Sequence, residues 1–143
     1  MEQAPQRLKR RREFLQVARA GRKWAAPGLV LQVLEREAAL KADARDPVDA
    51  NNIRVGFTVT KKVGGAVIRN RAKRRLRAAV ETIMPTHAAL GRDYVVIGRA
   101  RTNARPFPNL VDDLEMAMRK LNAWHGVQTS TGNSKNGKEQ RNG

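Results

Sequence analysis

Between Lys61 and Arg77 the chain carries eight lysines and arginines and no acid, in the run Lys-Lys-Val-Gly-Gly-Ala-Val-Ile-Arg-Asn-Arg-Ala-Lys-Arg-Arg-Leu-Arg. Cations at neighbouring i,i+4 positions of a helix repel one another, and ordinary solvated helices interleave acids to relieve this. An acid-free run therefore asks for a polyanion, and its chemistry is phosphate neutralisation. Asn70 stands among the arginines with an amide that both donates and accepts, so it is suited to a base edge or a 2′-hydroxyl. Lys61-Lys62-Val63-Gly64-Gly65 precedes the run as a glycine turn at a helix start, where free backbone N–H groups and flanking lysines make a phosphate cradle. It is not a nucleotide P-loop, because the glycine spacing and the serine or threonine of that motif are missing.

Hydrolytic side chains are not assembled anywhere. A two-metal phosphodiester site needs converging acids, whereas the 13 Asp and Glu are scattered and absent from the basic run. Asp43, Asp46 and Asp49 fall in a loop, and Asp112, Asp113 and Glu115 fall at a helix start, where Asn109 would cap and the dipole favours acids. His87 and His125 are isolated, and there is no cysteine. The sequence thus assigns no catalytic residue and no metal ligand. Phe14 has two readings, core on a helical stripe or a stacking platform for an unpaired base. Trp24 has the same two.

Those residues need a body to hold them. With 143 residues, a formal charge of +16 and 41% hydrophobic residues, the chain suits a single RNA-binding domain over 1–124, a long hairpin loop over about 36–52 and a disordered polar tail over 125–143. No long apolar stretch or signal-peptide hydrophobic region appears, so no membrane partner and a cytoplasmic location are expected; no small-molecule substrate is expected either. Arg7 to Arg12 is a basic lead-in. A first helix runs over Arg12–Ala20 to Gly21, and one strand over Trp24–Leu34. Ile53, Val55, Phe57 and Val59 alternate with Arg54, Gly56, Thr58 and Thr60 in a second strand. From Ala66 to Met84 the period becomes helical, with Ile68, Ala72, Leu76, Ala79, Val80 and Ile83 inward, and Pro85 ends it. Tyr94–Ile97 is a third strand. A last helix buries Leu110, Leu114, Ala117, Met118 and Leu121, with Asp112 and Asp113 in its first turn and Arg119 and Lys120 in its last.

Lys61-Lys62-Val63-Gly64, Ala66-Val67, Arg69-Asn70 and Lys73-Arg74 in this order resemble the signature of the bacterial ribonuclease P protein subunit. Arg7-Leu8 with Phe14-Leu15, Arg54-Val55-Gly56, Asp93 to Ile97 and the last helix extend the likeness over about Arg7 to Trp124. The resemblance implies an α+β fold, a small mixed sheet with helices in a ribosomal-protein-like two-layer sandwich, its basic helix in a left-handed βαβ crossover. It also implies a ribonucleoprotein partnership with the ribonuclease P catalytic RNA and precursor tRNA. The chain would then be the accessory subunit of an RNA-catalysed endoribonuclease that removes the 5′ leader, with magnesium on the catalytic RNA performing the hydrolysis. By likeness Lys61, Lys62, Arg69, Asn70, Arg71, Lys73 and Arg74 contact RNA, Arg77 joins them as the end of the same basic run, and by likeness Phe14 lines a leader cleft between the first helix and the sheet. Ala18 and Gln32 stand where some relatives place aromatics in that cleft.

Other readings share the basic helix. A ribosomal or RNA-chaperone-like protein would not stimulate leader cleavage. A helix-turn-helix DNA binder would need two helices joined by a short turn where strands are expected. A protein-only nuclease would cut without RNA.

Overall fold

The computed structural model describes residues 6–35, 53–89 and 91–124. The loop expected over 36–52, the tail over 125–143 and His125 lie outside the described residues. The elements in order are β1 (Gln6–Arg7), α1 (Arg11–Ala20), β2 (Arg22–Ala25), β3 (Leu29–Glu35), β4 (Arg54–Thr58), α2 (Ala66–His87), β5 (Arg92–Gly98) and α3 (Phe107–Lys120). They form a mixed five-stranded sheet of order β1-β4-β5-β3-β2, in which β4 is parallel to β1 and β5 while β3 is antiparallel to β5 and β2. This is an α+β fold.

β5 takes the centre because Tyr94, Val95 and Val96 are all buried, so the strand needs cover on both faces. Its insertion corrects the hairpin reading of 36–52: β3 and β4 do not pair with each other, since β5 lies between them. The single strand expected over Trp24–Leu34 is also corrected, to a hairpin. Pro27 has no N–H for a ladder, and the chain reverses over Pro27-Gly28 with Ala26 N–H donating to Leu29 O at 2.8 Å.

Alternation along the strands divides the core. Leu29, Leu31, Val33, Ile53, Val55, Tyr94 and Val96 face α2 and α3, meeting Ala72, Leu76, Ala79, Val80, Ile83, Leu110, Leu114 and Met118. On the opposite face, Leu34 and Val95 meet Leu8 and Val17, with Phe14 and Ile97 half-buried beside them. A two-layer sandwich thus gains a partial third layer from α1.

Three helical details differ from expectation. Ile68 is 47% exposed rather than core, because its branched side chain lies over the turn, where a Cβ on Gly64 would come within 2.8 Å of it. Pro85 does not end α2, which continues to His87 and closes with Ala88 N–H donating to Met84 O at 3.0 Å. Proline there costs only the bond to Glu81, and buried Ile83 and Met84 hold the final turn. α3 starts earlier than the acids suggest: Pro106 is the N-cap and no acid lies in the first turn. Pro108 fits early in the helix, where an N–H is unpaired anyway. Asp113 points inward instead, accepting Gly28 N–H at 2.9 Å and the Arg105 guanidinium at 2.8 and 3.0 Å. At the other end Arg22 and Arg92 donate to the carbonyls of Leu121 and Asn122 at 2.8 and 2.7 Å.

Candidate nucleic-acid interface

The turn between β4 and α2 is set by one glycine. Gly64 has φ +157°, a conformation that L side chains rarely adopt, whereas a Cβ on Gly65 would meet nothing within 4 Å. The N–H groups of Val63 and Gly64 are spent inside the turn, on Thr60 O and Lys61 O. The first-turn N–H groups of α2 are different: Gly65 supplies no side chain to cap them, and no acid lies in that turn. Lys61 and Lys62 are exposed beside this positive helix end. Val67 projects next to them, 82% exposed.

Along the helix the cations separate by environment. Asn70, Arg71 and Arg74 are exposed, and Lys73 is half-buried. Arg69 is half-buried and reaches back to close the turn, its Nε donating to Gly64 O at 3.2 Å. Arg77 lies with its guanidinium carbon 5.7 Å from the Phe57 ring centroid. Among the described residues none of the five cations named, Arg69, Arg71, Lys73, Arg74 and Arg77, is ion-paired to an acid. Arg75, which composition alone cannot tell from its neighbours, turns inward and donates to Thr102 O at 3.3 Å and, in a short bond, to Arg105 O.

That contact reveals a second basic element, outside the run from Lys61 to Arg77. The loop after β5 is pinned by buried Thr102, whose hydroxyl accepts Arg99 N–H at 2.8 Å and donates to Gly28 O at 2.7 Å. Asn103 donates to Ile68 O at 3.1 Å, so the loop rests on the first turns of α2. Arg101 stands exposed on it. A signal existed in the sequence, since residues 94–111 contain three arginines and no acid.

On the other face of the sheet, α1 is locked by charge. Arg54 on β4 donates to both Asp93 oxygens at 2.8 and 2.6 Å and to Glu13 of α1 at 2.9 Å. The hydrogen bond with Asp93 is the chief reason that the guanidinium pKa is raised, against the opposing effect of burial. Glu13 also accepts the N–H of Arg10 at 3.2 Å, fixing the start of the helix. Phe14, one residue on, lies over Gly56. Ala18 is exposed and Gln32 half-buried on this side. Trp24 is elsewhere: it pairs across the ladder with Leu31, which faces α2 and α3, and lies 5.5 Å from the Lys120 ammonium. Phe14 and Trp24 therefore sit on opposite faces.

His87, isolated in sequence, stacks on Trp124 with ring centroids 4.2 Å apart and planes 10° from parallel. No group of three or more His, Cys, Asp or Glu that could hold a metal occurs among the described residues.

Comparison with known proteins agrees with this geometry. The Ribonuclease P family model matches residues 3–122. The chain is 53% identical over 117 residues to the ribonuclease P protein component of Paramagnetospirillum magneticum, covering 82% of this chain and 83% of that one. It is 50% identical over 114 residues to that of Gluconacetobacter diazotrophicus, covering 80% and 89%. In fold it is similar to the Staphylococcus aureus RNase P protein, with TM-score 0.66 at 22% identity over 85% of this chain and 100% of the other. It is likewise similar to that of Thermotoga maritima, with TM-score 0.61 at 24% identity over 80% and 96%. A mixed sheet braces a helix whose first three turns carry cations and no acid, and the chain belongs to the ribonuclease P protein family, the protein component of the tRNA-processing endoribonuclease.

Proposed function

We propose that the chain clasps the ribonuclease P catalytic RNA through Lys61, Lys62, Arg69, Asn70, Arg71, Lys73, Arg74 and Arg77, and presents the α1 face of the sheet to the single-stranded 5′ leader of precursor tRNA. The observation that carries this reading is the uncapped start of α2, ringed by cations that no described acid neutralises. Phosphates arriving there release condensed counterions, which supplies affinity without reading sequence. Asn70 adds a contact to a base edge or 2′-hydroxyl.

The protein's part in cleavage is positional. Magnesium held by the catalytic RNA performs the hydrolysis, while Phe14 and the neighbouring sheet surface retain the leader and raise affinity for precursor over mature tRNA. The assembly works in the cytoplasm. No helix among the described residues is long and apolar enough to cross a membrane.

Reconstitution with the catalytic RNA tests this. With about six phosphates engaged at about 0.7 to 0.9 per contact, log affinity falls against log salt with a slope of about −4 to −5. The protein should also restore precursor cleavage at low magnesium. A slope near about −1, or no gain in cleavage, sinks the proposal.

A further inference from the structure

Arg77 has a counterpart outside the basic run. The guanidinium carbon of Arg7 lies 5.8 Å from the centroid of the Phe57 ring, the same ring that Arg77 approaches to 5.7 Å. The topology explains how two residues so distant in sequence meet. Arg7 is aligned with Val55 in the parallel pair of β1 and β4, and Val55 and Phe57 are both on the face covered by α2. Arg7 thus rises at the sheet edge on the α2 side, and Arg77 comes down from the helix. Neither has an acidic partner among the described residues. Arg77 Nε is buried and without a hydrogen-bond partner.

Two guanidinium groups about one apolar ring are preorganised for an anion. The ring attracts each cation but cannot neutralise either, and the planar fork of arginine matches phosphate oxygens in paired hydrogen bonds. We propose that Arg7 and Arg77 grip one phosphate of the RNA backbone together, with Phe57 as the post that holds both in place. The binding surface then does not end with α2 but continues across the sheet edge onto the N-terminal strand. β1 is two residues long, held through the bonds from Gln6 N–H to Ile53 O at 2.9 Å and Leu8 N–H to Val55 O at 3.0 Å. RNA that bridges Arg7 and Arg77 would tie this short strand to α2, so binding should protect the Leu8 amide from hydrogen exchange.

The proposal rests on the reading that α2 binds the catalytic RNA, and its test separates the two. Affinity of the full-length protein for the catalytic RNA is measured against salt for Arg7→Ala, Arg77→Ala, the double variant and Arg74→Ala. Each of the first two should weaken binding about five- to tenfold at 0.1 M salt and reduce the slope by about 0.7 to 0.9. The double variant should lose clearly less than the product of the singles, because one phosphate is shared. Arg7→Ala within twofold of wild type while Arg74→Ala is impaired overturns the clamp and leaves the α2 reading standing; silence from both defeats that reading itself. Full multiplicativity of the two losses also overturns the clamp. Should Arg7→Ala fail to fold, Arg7→Lys decides: the charge is kept and the fork lost, so affinity should drop with the slope unchanged, and wild-type affinity would count against the proposal.

Discussion

The ring of Phe14 occupies the space that a side chain at Gly56 would need: a Cβ built there would lie 2.5 Å from two ring carbons and 3.1 Å from the Cβ of Leu8. Gly56 is a glycine for close approach rather than for unusual backbone angles. Gly56→Ala should push Phe14 and α1 off the sheet, lowering stability by about 1 to 3 kcal/mol as overpacked sites do. Preference for precursor over mature tRNA should fall with it, while affinity for the catalytic RNA stays within about twofold, since α2 lies on the other face. Denaturant unfolding and competition binding measure both. Wild-type stability would mean that the ring is not seated there.

Arg54 is the pin between β4, β5 and α1. Asp93 is 1% exposed, so removing Arg54 takes a bidentate guanidinium away from a buried carboxylate. Breaking buried pairs in this way costs about 3 to 5 kcal/mol, and the partial exposure of Arg54 places Arg54→Met near the lower end. Arg54→Lys should recover only part, because one ammonium cannot reproduce the bidentate bond to Asp93 and still reach Glu13. Urea midpoints would decide, and equal stability of Lys and Arg variants would contradict the geometry.

Trp24 and Phe14 separate the two faces of the sheet. Trp24→Ala removes a cation–π contact with Lys120 worth about 0.5 to 1 kcal/mol at an exposed site and should leave precursor discrimination unchanged. Phe14→Ala should cost about 2 kcal/mol of stability, less than full burial of a large apolar side chain, and reduce discrimination as well. A loss of discrimination in Trp24→Ala would relocate the leader surface.

Much of this was legible because the relevant signals are local. The alternation of Ile53, Val55 and Val59 and the helical stripe of Ala72, Leu76, Ala79, Val80 and Ile83 appear as read, since each buries one periodic face. What escaped was set by distant partners. Nothing near Asp113 shows that Gly28 and Arg105 await it, so a buried anchor looked like a dipole-favouring acid in a first turn. Pro27-Gly28 lay inside an apolar run whose residues suit either strand of the hairpin. Ile68 has the right spacing for the core, but its side chain lies against the Gly64 turn and stays 47% exposed. The cations of α2 read as one surface, and only packing divides them into those that face solvent and those that hold the fold.

Arg74 and Arg75 make that division testable with adjacent residues of one type. Arg74 is exposed and has no ion pair to a described acid, whereas Arg75 donates to the carbonyls of Thr102 and Arg105 and so fastens the loop after β5 to α2. Arg74→Ala should weaken catalytic-RNA binding about five- to tenfold at 0.1 M salt with an unchanged melting temperature, because it removes a charge and no internal contact. Arg75→Ala should instead destabilise the fold by about 1 to 3 kcal/mol, the cost of carbonyls left without their charged donor. Its salt slope should match that of wild type at temperatures where it is folded, since the missing guanidinium was spent on the protein. Thermal melts paired with salt titrations of both variants check this, and an exchange of the two phenotypes would show that the helix presents its other side to RNA.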